Sequence, residues 1–96
     1  MSFSFHPEAE IEFNNAINYY EGVELGLGYD SAIEAYSTIK RTVSLPKAWS
    51  IIDGDIRRSL VKRFPYGILY SEENNGIHIV AVMHLHRFPD YWKHRK

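Results

Sequence analysis

Ninety-six residues and 11.2 kDa make one domain, 1–96, with no room for a second core. With 45% hydrophobic and 24% charged residues and a formal net charge of −1, the composition is that of a folded chain and excludes intrinsic disorder. The absence of cysteine excludes a disulfide framework and a thiolate metal site, and it fits a reducing compartment.

Residues 2–6 alternate, Phe3 and Phe5 against Ser2, Ser4 and His6, which predicts a strand. Pro7 then opens a helix, where its missing N–H costs nothing. Glu8, Glu10 and Glu12 sit in its first turns, the favourable end of the dipole for acids. Ala9, Phe13, Ala16, Ile17 and Tyr20 form one apolar stripe and predict a helix over about 7–22. Gly22, Gly26 and Gly28 mark a break. A second stripe, Tyr29, Ala32, Ile33, Tyr36, Ile39 and Val43, predicts a helix over about 29–44 that stops before Pro46 and buries this face. Trp49 is expected in the core.

The remainder reads as sheet. Residues 56–64 (IRRSLVKRF) predict a strand, and 66–71 (YGILYS) a second with Tyr66, Ile68 and Tyr70 on one face. Asn75-Gly76 is a hairpin signal, because both residues accept the positive φ of a tight turn. Residues 77–84 (IHIVAVMH) then place Ile77, Ile79, Ala81 and Met83 on one face and His78, Val80, Val82 and His84 on the other. This least polar strand belongs in the sheet interior. A short tail, Tyr91 to Lys96, closes the chain. The order β-α-α-β-β-β is an α+β fold, with a helical hairpin packed on one face of a small, mostly antiparallel sheet and the other face left to solvent or a partner.

Charge is divided along the chain. Residues 1–48 have a net charge of −4 and residues 49–96 a net charge of +3, and four of the five histidines fall in the second half. That is either a basic working surface for an acidic partner or ordinary surface scatter. No apolar run approaches the roughly 18 residues of a membrane span. Met1 to His6 has neither the basic nor the apolar stretch of a signal peptide, so a cytoplasmic chain without a membrane partner is expected.

Arg57 to Tyr70 (RRSLVKRFPYGILY) resembles the RR-x-LV-x-RFPY-x-I-x-Y run of the RelE/ParE toxin superfamily. Val80 to His84, with Arg87, Pro89 and Trp92, is similar to that family's last strand and tail. Phe5 to Ala9 and Tyr19-Tyr20-Glu21 also fit, and the ParE-like, plasmid-stabilisation subgroup matches more closely. The resemblance implies the toxin of a type II toxin–antitoxin pair, with a small antitoxin as partner and no cofactor.

Two activities divide the superfamily. ParE-like members inhibit DNA gyrase by binding it, and RelE-like members cleave mRNA on the ribosome. Cleavage through the 2′-OH needs a base, an acid and cations for the phosphorane charge. Arg63, His84, Arg87 and Tyr91 are the candidates for it. The resemblance implies that Gly67 stands where such nucleases carry a phosphate-holding Arg, which favours the binding reading, as does a pI near 6.5. A chain that kept the fold and lost or changed its activity is the third reading. Arg57, Arg58, Lys62, Arg63, Arg87 and Trp92 are candidate contacts to target or antitoxin, with Trp92 favoured as packing. Direct binding of DNA by the chain alone is not expected. His84 and His86 have the spacing of two metal ligands on one strand face, but no third ligand accompanies them, so no metal site is expected.

Overall fold

The computed structural model describes residues 2–95, which form β1 (Ser2–Phe5), α1 (Pro7–Val23), α2 (Leu27–Ser44), β2 (Ile51–Asp53), β3 (Ile56–Leu60), β4 (Tyr66–Glu73) and β5 (Gly76–His84). Met1, and Lys96 at the end of the expected tail, lie outside the described residues. The strands make one sheet in the order β1-β5-β4-β3-β2. Only β1 runs parallel to its neighbour, and every other pair is antiparallel. Among the described residues, no helix is long and apolar enough to cross a membrane.

The helical hairpin starts as the sequence dictates. Pro7 occupies the first turn of α1, and the His6 Nδ1 accepts a hydrogen bond from the Glu8 N–H at 3.1 Å. At the other end, Glu21 reaches across the joint, and its carboxylate accepts from the Gly26 and Gly28 N–H groups, each at 3.0 Å. An acid of α1 therefore caps the start of α2. Gly28 also sets how closely the helices approach, since a Cβ there would stand 2.6 Å from the Ile17 carbonyl oxygen.

Ala9 and Phe13 of α1 are buried as the stripe predicts, with Ile17 and Tyr20 packed beside them. Helix α2 departs from its stripe. Ile39 and Val43 are buried, but Tyr29, Ile33 and Tyr36 are 69%, 46% and 45% exposed. The face toward α1 and the sheet is instead Gly28, Ser31, Ala35, Thr38 and Thr42. Small residues let α2 lie close, and the hydroxyls cost little because each finds an acceptor. Ser31 Oγ donates to Gly28 O at 2.7 Å and Thr38 Oγ1 to Glu34 O at 2.8 Å. Thr42 Oγ1 donates to Thr38 O at 2.7 Å and lies 2.8 Å from Ser59 Oγ on the sheet.

The sheet has five strands rather than four. The extra strand, β2, is three exposed residues joined to β3 by a turn at Gly54 (φ +55°), too short to leave a periodic signal. Strand β3 ends at Leu60 instead of 64, because Arg63 adopts φ +72° and the chain loops inward to bury Val61 and Phe64. The β4–β5 hairpin is where it was expected, but by a different device. Gly76 has no positive φ and pairs with Glu73 as the first residue of β5. It is glycine because β1 crosses it, and a Cβ would collide with the Ser2 backbone.

A bulge changes the phase of β5. Leu69 pairs with Ala81 and Tyr70 with Ile79, leaving Val80 unpaired. Ile77 and Ile79 therefore join Ile68, Tyr70 and the helices, as does Val82, whereas Val80, Ala81 and Met83 join Leu69 on the opposite face. The expected single face of Ile77, Ile79, Ala81 and Met83 is thus split. That opposite face is not left open. The tail folds over it, burying Trp92 to 4% exposure against Leu69, Val80, Ala81 and Met83.

Candidate functional site

The bulge and the short β1 create a problem that the site solves. Strand β1 pairs with β5 only as far as Ile79, so the edge of β5 beyond it has lost its neighbour. Glu12 of α1 takes the Val82 N–H at 3.0 Å, and Arg95 of the tail donates to the Val80 carbonyl at 3.2 Å. The two side chains then meet, with Arg95 Nη1 2.8 Å and Nη2 3.1 Å from the Glu12 carboxylate oxygens. The Arg95 side chain is 4% exposed and that of Glu12 12%. Burial works against the Arg95 charge, but the hydrogen bonds and charge of Glu12 outweigh it and hold its pKa above the usual value.

Beside this pair opens a cleft of about 270 Å³, walled by Glu12, Tyr19, Tyr66, Val82, His84 and Arg87. The His84 Nδ1 accepts the His86 N–H at 3.1 Å, which leaves Nε2 as the N–H of the neutral ring. Tyr66 meets His84 edge-on at 5.1 Å. Burial, and then the neighbouring Tyr20, Tyr19 and Glu12, push the Tyr66 phenol above its usual pKa, so it stays a neutral donor. Arg87 Nη1 lies 3.5 Å from Glu12, and its guanidinium lies 3.6 Å from the centroid of Tyr91. Arg95 stands 5.0 Å from the same ring. Burial and then Glu12 raise the Tyr91 phenol well above its ordinary value.

Of the four nuclease candidates, the structure brings His84 and Arg87 into one cleft. Tyr91 stacks on Arg87 with its hydroxyl buried. Arg63 is elsewhere, on the loop after β3, 3.6 Å from Glu34 and 3.9 Å from Asp30 of α2. His78 and His84, expected on one face, lie on opposite faces. His78 Nδ1 is 2.8 Å from Ser4 Oγ and lines the tail-covered side, while His84 joins Tyr66 and Val82. Gly67 likewise faces the tail side, under the Arg58 stem, so a side chain there points away from His84. His84 and His86 rings are 5.4 Å apart, and among the described residues no three His, Cys, Asp or Glu side chains converge as metal ligands.

The six candidate contacts do not form one surface. Arg57 donates to the Trp49 and Lys47 carbonyls at 2.6 and 3.3 Å and fastens the α2–β2 connection. Arg58 lies across Gly67, Lys62 and Arg63 sit on the β3–β4 loop, Arg87 flanks the cleft, and Trp92 is core. Glu12, Tyr66 and Arg95 were not anticipated. Glu12 reads in sequence as one more acid at a helix start, and nothing in the pattern marks the tail arginine for burial.

No protein-family model matches the chain, and no curated protein matches it. Among solved structures, a chain of the "Chromosomal ParDE TA system from P. aeruginosa" superposes with a TM-score of 0.73, over 88% of this chain and 96% of that one, at 16% identity. The chain therefore shares the α+β fold of that chain, with the β-α-α-β-β-β order expected from the sequence extended by the short β2. The particular structure it shares that fold with is a component of a ParDE toxin–antitoxin system.

Proposed function

We propose that this chain is the toxin of a type II toxin–antitoxin pair, ParE-like in kind, which inhibits growth in the cytoplasm by binding its target and is neutralised by a small antitoxin. The observation that carries this reading is the fold shared with a ParDE chain over 88% of the sequence. The cleft supports binding over catalysis. A ribonuclease needs cations free to take up phosphorane charge. Here Arg87 faces Glu12 and stacks on Tyr91, Arg95 is buried on Glu12, and Arg63 is turned toward α2. The glycine at position 67 favours neither activity, because a side chain there meets Arg58 and Leu85 and does not face the cleft. DNA gyrase is the proposed target and the ribosome with its mRNA the competing one.

The test is pulse-labelling of DNA and protein synthesis in the first minutes after inducing the chain alone in bacterial cells. An early fall in DNA synthesis is expected, and His84→Ala should leave growth inhibition intact. An early fall in protein synthesis that His84→Ala abolishes, with the variant still folded, would instead make His84 a catalytic residue of a ribosome-linked nuclease.

A further inference from the structure

Helix α2 carries an apolar seam that the fold leaves uncovered. Tyr29, Ile33 and Tyr36 recur at intervals of four and three residues, the spacing of a two-helix seam, and Lys40 continues the line. Phe3 of β1 lies against Tyr36, with ring centroids 6.4 Å apart, and at 39% exposure widens the strip toward the sheet edge. Charge is polarised along the same helix. Asp30 and Glu34 flank its first half, and Lys40 and Arg41 its second. Within one chain Asp30 and Lys40 cannot pair, since they are about 15 Å apart along the axis. The acids meet only Arg63, at 3.9 and 3.6 Å, and neither Lys40 nor Arg41 makes an ion pair among the described residues.

We infer that two copies of this chain associate through helix α2, antiparallel about a two-fold axis, with Tyr29, Ile33 and Tyr36 forming the seam. The charges select the direction. A parallel pair sets Lys40 on the seam against its own copy, whereas an antiparallel pair sets it toward Asp30 of the second copy. With the axis passing near residues 34 and 35, Ile33 of each copy meets Tyr36 of the other. Lys40 then lies over the Tyr29 ring of the second copy, a cation–π contact. One helix seam is smaller than an obligate interface, so the dimer is weak, with a dissociation constant on the order of 1–100 μM. Nothing in this inference depends on toxicity or on an antitoxin.

Sedimentation equilibrium of the purified full chain, from below to well above that range, tests it. The expected result is a mass that rises from 11.2 kDa toward twice that value with concentration. Ile33→Glu should raise the dissociation constant at least about tenfold. Its circular dichroism and melting temperature should be unchanged, because the side chain is half exposed. Lys40→Glu should weaken the dimer, and adding Asp30→Lys should restore it. Ile11→Glu, 58% exposed and on α1 rather than α2, should have no effect. A monomer at every concentration would overturn the inference. So would a dimer that survives Ile33→Glu, or one that Ile11→Glu weakens equally.

Discussion

The two faces of the sheet are covered in opposite ways. On one, two helices lay Phe13, Ala35, Ile39 and Val43 over Ile68, Tyr70, Ile79 and Val82, and apolar contact is spread over many side chains. On the other, a tail with no regular structure covers Leu69, Val80, Ala81 and Met83 with Trp92, and Arg95 pins it by an ion pair to α1. A broad cover loses stability in small steps when single residues change. A narrow one concentrates its stability in one indole and one guanidinium, so the tail side should be the more sensitive to point changes.

The largest expected effect is at Trp92. Trp92→Ala should cost about 4 kcal/mol in urea unfolding, and dye binding should report the uncovered Leu69 and Met83. A loss below about 1 kcal/mol would mean that the tail is not a cover at all. Arg95→Ala should cost about 3 kcal/mol, because it strands the Glu12 carboxylate in a poorly solvated place. Glu12→Gln in the same chain should recover part of that, and a double-mutant cycle measures the coupling.

On the helix side, Tyr70→Phe removes the hydrogen bond from the Tyr70 hydroxyl to the Pro46 carbonyl, 2.6 Å long, and should cost about 1 kcal/mol at neutral pH. It should also change the alkaline limb. Burial pushes the Tyr70 phenol up to about 12 from 10.0. A pKa raised on folding favours the folded state fully below the unfolded value, and the benefit is lost as pH climbs through the folded one. Stability should therefore fall between pH 10 and 12, and less steeply in Tyr70→Phe. The smallest effect is Tyr36→Asp. The α2 stripe, read as buried, predicts a large loss, but at 45% exposure the new carboxylate stays in water. Only the contacts with Phe13 at 5.2 Å and Phe3 at 6.4 Å are lost, about 1 kcal/mol or less, read from the melting temperature.

Half of the cleft was legible in the sequence. His84 and Arg87 stood out as a base and a cation near a strand end. Tyr66 lies on the face that alternation predicts, with Ile68 and Tyr70 beside the helix-side core. Arg63 was misplaced because the positive φ of that very residue breaks the strand that was to carry it. Glu12 and Arg95 were missed because their roles arise from an unpaired stretch of β5, which exists only once β1 has ended short of it.

Local pattern by itself determined the helical hairpin, the buried stripe of α1, the faces of β4 and the β4–β5 hairpin, because each depends on residues within a turn or two of one another. The tertiary structure alone decided which face of α2 turns inward. Ser31, Thr38 and Thr42 are polar by composition and become core material only when helix carbonyls accept their hydroxyls and Ser59 pairs with Thr42. It decided the phase of β5 as well, since one unpaired residue reverses the alternation. And it decided the tail, whose indole and guanidinium are buried because the sheet offers them an apolar face and an unpaired edge.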